Sequence, residues 1–209
     1  MNYRDFIQKL IYRLIDPLLR KMLHIGITPN IVTAIGFVGN FIAAACFVYA
    51  SNVPSACSSF ISWGGIIILS AGLFDMMDGR LARLGNLSSD FGALWDSTLD
   101  RYSELMTLFG ISLVFLSYGW TWMGIVTYAA ITGSIIVSYV RARAEGLRIE
   151  CKVGLMQRPE RVVVTAIGAI ITGCTQNLVW LAGAMTLIAV LANITACWRI
   201  WHCWKKLKK

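Results

Sequence analysis

The sequence predicts an all-α integral membrane protein: six transmembrane helices preceded by an N-terminal amphipathic helix on the membrane surface. Three observations predict it. The 209 residues are 57% hydrophobic and only 14% charged, with a mean hydropathy of +0.65; a soluble domain carries about 25% charged residues. Six stretches approach the roughly 20 apolar residues that a spanning helix needs. All 19 Lys and Arg fall in segments that a six-span path leaves on one side of the membrane.

Taken in order, residues 2–23 place Phe6, Leu10, Ile11, Leu14, Ile15, Leu18 and Leu19 at helical spacing with charges opposite. That pattern suits a helix lying in the membrane interface, with Pro17 as a site for a kink. Charges from Arg4 to Lys21 do not suit a secretory signal, so these residues are expected in the mature chain. Thr28-Pro29 reads as a helix start, with Thr28 as cap and Pro29 in the first turn. Residues 1–28 thus form a juxtamembrane helix and residues 29–209 one membrane domain. Its spans run over Asn30–Ala50, Ser59–Arg83, Phe91–Ser117, Trp120–Glu145, Pro159–Cys174 and Leu178–Trp201. The joins near 51–58, 117–120 and 174–178 carry Pro54, Ser55, Tyr118, Gly119, Gln176 and Asn177, which are loop chemistry.

The cations lie before the first span, beside the second-to-third turn, between spans four and five, and after the sixth. The positive-inside rule then puts both termini in the cytoplasm, for a multi-pass protein of the inner (cell) membrane. The net charge of +8 is an orientation signal, and no nucleic-acid partner is expected. Six cysteines form no CxxC pair and read as small buried thiols. Cys197, His202 and Cys203 fall among Trp198, Trp201 and Trp204, an interfacial aromatic belt rather than a metal site.

The chemistry concentrates between Asp75 and Asp100. Ionisable groups within membrane helices are costly and read as functional. Asp75 and Asp78 are three apart, Asp96 and Asp100 four apart, so each pair shares a helix face. A turn over 84–91, with Gly85 and Asn86, returns the second helix beside the first. Oxygen ligands without a nearby histidine favour Mg²⁺ or Mn²⁺ over zinc. Gly79, Ala82, Gly92 and Ala93 leave room beside the carboxylates, and Arg83 offers a planar fork for a phosphate. Ion pairing of the aspartates with Arg80, Arg83 and Arg101 leaves the glycines without a purpose. An ion-transport path, the alternative from another class, belongs nearer the midplane of a bilayer.

The spacing D-x2-D-G-x2-A-R-x8-G-x3-D-x3-D, filled by Asp75, Asp78, Gly79, Ala82, Arg83, Gly92, Asp96 and Asp100, resembles the signature of the CDP-alcohol phosphotransferase family. The resemblance implies metal ligation by Asp75, Asp78 and Asp96, with Asp100 as general base and contributing ligand. It implies nucleotide contacts from Gly79, Arg83 and Ser89, and from Pro29, Asn30 and Thr33 at the first span. DSTLDR at 96–101, YVRARAEGL at 139–147 and RPER at 158–161 resemble the inositol-phosphate-using bacterial branch of that family. There Arg141, Arg161 and Arg199 would hold the acceptor's phosphate. That branch commonly has lysine where Arg141 stands. Ser97 replaces the proline usual after the third aspartate in glycerophosphate-using relatives. The implied reaction moves a phosphatidyl group from CDP-diacylglycerol to inositol phosphate, giving phosphatidylinositol phosphate and CMP. Glycerol phosphate, inositol and serine are alternative acceptors. Membrane lipids surround the chain, and the resemblance implies a homodimer.

Overall fold

The computed structural model describes residues 3–53 and 57–208, and all the regular structure among them is helical. The helices are α1 (Tyr3–His24), α2 (Pro29–Asn52), α3 (Cys57–Leu84), α4 (Asp90–Ser117), α5 (Thr121–Gly146), α6 (Arg158–Thr175) and α7 (Val179–Leu207). The side chains of Phe6, Leu10, Ile11 and Leu14, and the loop residues Pro54 and Ser55, lie outside the described residues.

Local chemistry sets the helix starts that matter for function. α2 begins at Pro29, where a missing N–H costs nothing. The preceding Thr28 is extended but its hydroxyl makes no capping bond, so proline alone marks this start. α3 ends where the Gly85 and Leu87 amides bond back to the Leu81 and Ala82 carbonyls, around Asn86 at φ 50°. Asparagine is among the few side chains that accept that left-handed geometry. Ser89 then caps α4, its Oγ accepting from the Gly92 amide at 3.0 Å.

The long helices close into a ring. α3 packs on α2, α2 on α4, α4 on α5, α5 on α7, α7 on α6, and α6 returns to α3. Small residues permit the close crossings. A Cβ on Gly65 would lie 2.7 Å from the Ala166 carbonyl, and one on Gly110 would lie 2.9 Å from Phe47 Cβ. Phe47, Ile61, Phe115, Leu181 and Met185 fill the interior. Phe41, Leu69, Phe109, Ile167 and Val190 face outward and exposed, as a lipid-facing surface requires. Trp201 and Trp204 are also exposed, with Lys205 Nζ 3.7 Å and Lys208 Nζ 4.9 Å from their rings. Cys174 and Cys197 lie on exposed surface rather than in the core.

Among the described residues four helices, α2, α3, α5 and α7, are long and apolar enough to cross a membrane by length and composition. The sequence predicts six. α4 is 28 residues long but carries Asp90, Asp96, Asp100, Arg101 and Glu104, all N-terminal to Leu105. α6 has 18 residues and opens on Arg158, Glu160 and Arg161. The charge that makes these helices chemically interesting is what removes them from an apolar count. α1 continues through Pro17 and packs on α3: Leu19 joins Val32, Met77 and Leu81 in a second small core. Asp16 accepts two bonds from Arg80, at 2.9 and 2.8 Å.

Candidate active site

From α2 to α7, helices consecutive in sequence run in opposite directions. The end of α3, the starts of α2, α4 and α6, and the last turns of α5 and α7 therefore meet at one end of the ring. Asp75 and Asp78 sit one turn apart on α3, facing Asp96 on α4. These three residues bring one carboxylate oxygen each to within 4.8 Å of one another. Around a hard cation with oxygens at about 2.1 Å, opposed ligand atoms lie about 4.2 Å apart. Asp78 Oδ2 and Asp96 Oδ1 are buried without a hydrogen-bond partner. Buried, unpartnered carboxylate oxygen is costly unless a cation or donor reaches it. Size, oxygen-only chemistry and unmet demand all fit Mg²⁺ or Mn²⁺.

Asp100, expected to contribute to this set or stand by it, lies beside the trio rather than within the group of converging oxygens. Its Oδ1 lies 2.5 Å from Arg158 Nη2, and its Oδ2 lies 3.6 Å from Arg101 Nη2. Arg158 Nη1 donates to Asp75 Oδ2 at 2.7 Å. The four carboxylates thus face two guanidiniums, Arg101 and Arg158, a deficit that one divalent cation makes good. Arg80 and Arg83 do not pair with the cluster. Arg80 goes to Asp16, whose carboxyl it holds below the usual carboxylate range, and Arg83 Nη2 donates to the Tyr12 hydroxyl at 2.9 Å.

Around the trio, Thr33 shares a small cavity with Asp75, Asp78 and Asp100. Its hydroxyl is bonded to the Pro29 carbonyl at 3.1 Å. Gly79 presents an open face: a Cβ there would meet nothing nearer than Arg83 Nη1 at 3.8 Å. Asn30 comes close to Gly92, where a Cβ would lie 3.3 Å from Asn30 Oδ1. Ser89 lies at the same place but its Oγ is occupied in capping α4.

A cavity of about 780 Å³ opens beside Asp96 and Asp100, and Arg141, Arg158, Arg161 and Arg199 all line it. The expected arginines therefore share one wall, but they are not equally available. Arg161 is 2% exposed, and all three of its nitrogens are taken. Nε and Nη2 hold the Glu104 carboxylate at 2.5 and 3.0 Å, and Nη1 bonds the Met156 carbonyl. Burial makes the charge of Arg161 take partners within the protein. Arg199 bonds the Val153 and Val137 carbonyls through Nε and Nη1. Arg141 reaches only Glu145 on its own helix, at 2.9 Å. A second cavity of about 270 Å³ runs between α3 and α6 from Leu69 and Val163 to Asp75.

Sequence reasoning misses Arg158, Glu104 and Tyr12. Glu104 continues the four-residue spacing of Asp96 and Asp100, which is a visible signal. Arg158 precedes Pro159, a helix-start signal that places its side chain at the ring's mouth. Nothing local in the sequence announces Tyr12.

Fold and site define a membrane-embedded helical ring with an acidic centre fit for a cation at one end. A family model for CDP-alcohol phosphatidyltransferase matches residues 26–198, and the chain belongs to that family of transferases. It is 31% identical, over 90% of its length and 82% of the relative's, to the phosphatidylinositol phosphate synthase of Mycobacteroides abscessus. It is 33% identical to the archaetidylinositol phosphate synthase of Methanothermobacter thermautotrophicus, over 95% and 92% of the two chains. The crystal structure of Mycobacterium tuberculosis phosphatidylinositol phosphate synthase with CDP-DAG bound superposes with a TM-score of 0.78 at 28% identity, covering 92% of this chain and 94% of that one. The same enzyme in complex with manganese and citrate gives 0.76, covering 90% and 88%.

Proposed function

We propose that this protein transfers a phosphatidyl group from CDP-diacylglycerol to a hydroxyl of inositol phosphate, giving phosphatidylinositol phosphate and CMP, with Mg²⁺ or Mn²⁺ as cofactor. One observation carries it: a trio of carboxylates with unpartnered buried oxygens borders a cavity walled by arginines. An acidic trio suits a metal-bound pyrophosphate, and a basic wall suits a second phosphate. Phosphatidylinositol phosphate synthases among the relatives support that choice of acceptor.

Asp75, Asp78 and Asp96 hold the cation. When bound, it neutralises the pyrophosphate and the charge that develops on departing CMP. Asp100 takes the proton from the acceptor hydroxyl. That oxygen attacks the phosphorus carrying diacylglycerol, and the bond from this phosphorus to the bridging oxygen breaks, with CMP carrying that oxygen away. Gly79 lets the nucleotide approach α3, and Arg83 binds its phosphates. Pro29, Asn30, Thr33 and Ser89 border it from the starts of α2 and α4. Arg141 and Arg199 receive the acceptor's phosphate, while Arg161 acts through its pairing with Glu104. The groove between α3 and α6 takes an acyl chain.

The six ring helices all cross the membrane, with the charged starts of α4 and α6 at the cytoplasmic face and α1 on its surface. Residues 1–28 are the juxtamembrane helix and residues 29–209 the membrane domain. Complete clustering of Lys and Arg at one end supports cytoplasmic termini in the inner (cell) membrane. The protein works among membrane lipids as a homodimer.

The test is CMP release from CDP-diacylglycerol with Mg²⁺ or Mn²⁺, across inositol phosphate, glycerol phosphate, inositol and serine. Release with inositol phosphate is expected. No release with any acceptor refutes the transfer reaction, and release only with a phosphate-free acceptor refutes the role of the arginine wall.

A further inference from the structure

Arg158 lies at the crossing point of the three cavities beside the aspartates: it lines the small one under Asp78, the groove toward lipid, and the arginine-walled one. Its side chain is 19% exposed and its two terminal nitrogens reach Asp75 and Asp100, at 2.7 and 2.5 Å. Its Nε is buried without a hydrogen-bond partner. Among the arginines of the wall, Arg161 is saturated and Arg199 is tied to backbone carbonyls. Arg158 is bonded only to carboxylates that have another use.

Asp75 is the residue on which two demands meet. It belongs to the carboxylate trio and it also holds Arg158. A cation entering the trio draws on the same Asp75 carboxylate and repels the guanidinium. We propose that Arg158 is a positioning residue that exchanges partners. Without metal it is the counter-cation of Asp75; once metal binds, it turns to an anionic group in the arginine-walled cavity. This rests on the metal-binding and acceptor-binding roles given above to the trio and the cavity.

The consequence is a coupling. An anion that engages Arg158 withdraws it from Asp75 and so tightens metal binding. By linkage, metal tightens anion binding by the same factor. Arg158 thereby favours assembly of the site with both ligands present. Its unpartnered Nε supplies a donor for the incoming anion at no cost in broken bonds.

The experiment measures Mn²⁺ affinity of the full-length protein in nanodiscs, from the electron paramagnetic resonance signal of free Mn²⁺. Titrations are run alone, with sulfate and with inositol phosphate, each corrected for Mn²⁺–anion association measured without protein. In the wild type, either anion should tighten Mn²⁺ binding by about fivefold or more. Arg158→Gln should bind Mn²⁺ more tightly than wild type without anion, and should not respond to either anion. Arg141 and Arg199 remain in that variant, so a general attraction between a basic cavity and anions predicts an undiminished response. Absence of tightening in the wild type overturns the exchange, as does a response in Arg158→Gln equal to the wild type's. Should Arg158→Gln not fold, Arg158→Lys replaces it, with a weaker response than wild type expected and an equal one overturning the exchange. CMP release is measured on the same preparations. Release without coupling refutes the exchange alone, and coupling without release refutes the transfer reaction alone.

Discussion

Glu104→Gln isolates the part that the buried Glu104–Arg161 pair plays in holding the mouth of the ring. Arg161 donates to the two Glu104 oxygens at 2.5 and 3.0 Å, and its third nitrogen bonds the Met156 carbonyl at 3.1 Å. The two side chains are 2% and 11% exposed, so the weakening that solvent brings to surface pairs does not apply. Removing one charge of such a pair leaves the other uncompensated in the interior and costs about 3–5 kcal/mol. In a chain of this size each kcal/mol moves Tm by about 2–4 °C, so the metal-free variant should melt ~6–20 °C lower. The assay is thermal unfolding in one detergent, followed by circular dichroism, without metal or acceptor, because either ligand adds stability of its own. Glu104→Met combined with Arg161→Met removes both charges at similar volume and should recover most of the loss. A fall of less than ~2 °C for Glu104→Gln refutes the reasoning.

Asp100→Asn should lower turnover by about 10²–10⁴-fold while CDP-diacylglycerol still binds in equilibrium dialysis; full activity removes Asp100 as base. Tyr12→Phe deletes one hydrogen bond to the Arg83 guanidinium and should raise KM for CDP-diacylglycerol about fivefold, with kcat and the acceptor KM unchanged. An unchanged donor KM there means that Tyr12 does not orient Arg83. Chelation should abolish CMP release, and added Mg²⁺ or Mn²⁺ should restore it; activity that survives exhaustive chelation removes the metal from the reaction. Asp16 titrates below its usual range because of Arg80, so the pair's contribution is complete above the unfolded value of about 3.9 and is lost as pH falls through the lower folded value. Hydrogen exchange along α1 should therefore quicken at low pH in the wild type and show no such step in Asp16→Asn.

The helical plan is legible because hydrophobic runs and cation placement are regional properties that survive any detail of packing. The aspartates are legible for a related reason: spacings of three and four residues fix a shared helix face wherever the helices dock. What cannot be read is which charge takes which partner. Arg80 and Arg83 follow the aspartates closely in sequence, yet α1 draws them away through Asp16 and Tyr12. Arg158, 83 residues beyond Asp75, supplies the counter-charge instead. Arg161 looks like a phosphate ligand from its position, and only burial beside Glu104 reveals that its donors are committed. Such pairings depend on the approach of helices distant in sequence, α6 against α3 and α4, and no local pattern encodes the distance between them.

The order of the ring also bears on how two unlike substrates reach one centre. α3 and α6 are neighbours only because the chain closes the ring, and between them lies the groove that runs from Leu69 and Val163 to Asp75. α4, α5, α6 and α7 frame the opposite approach, where the larger arginine-walled cavity borders Asp96 and Asp100. In the transfer proposed above, a lipid-anchored donor enters through the first and a water-soluble acceptor through the second, so neither has to pass the other. Arg158, Pro159 and Arg161 line both cavities, and the first of them opens α6. An arginine there, held by one aspartate from each of α3 and α4, senses occupancy on both sides. That is why the exchange of Arg158 belongs to the architecture and not only to the chemistry: moving the start of α6 by a single residue would rotate the guanidinium by about 100°, away from both carboxylates.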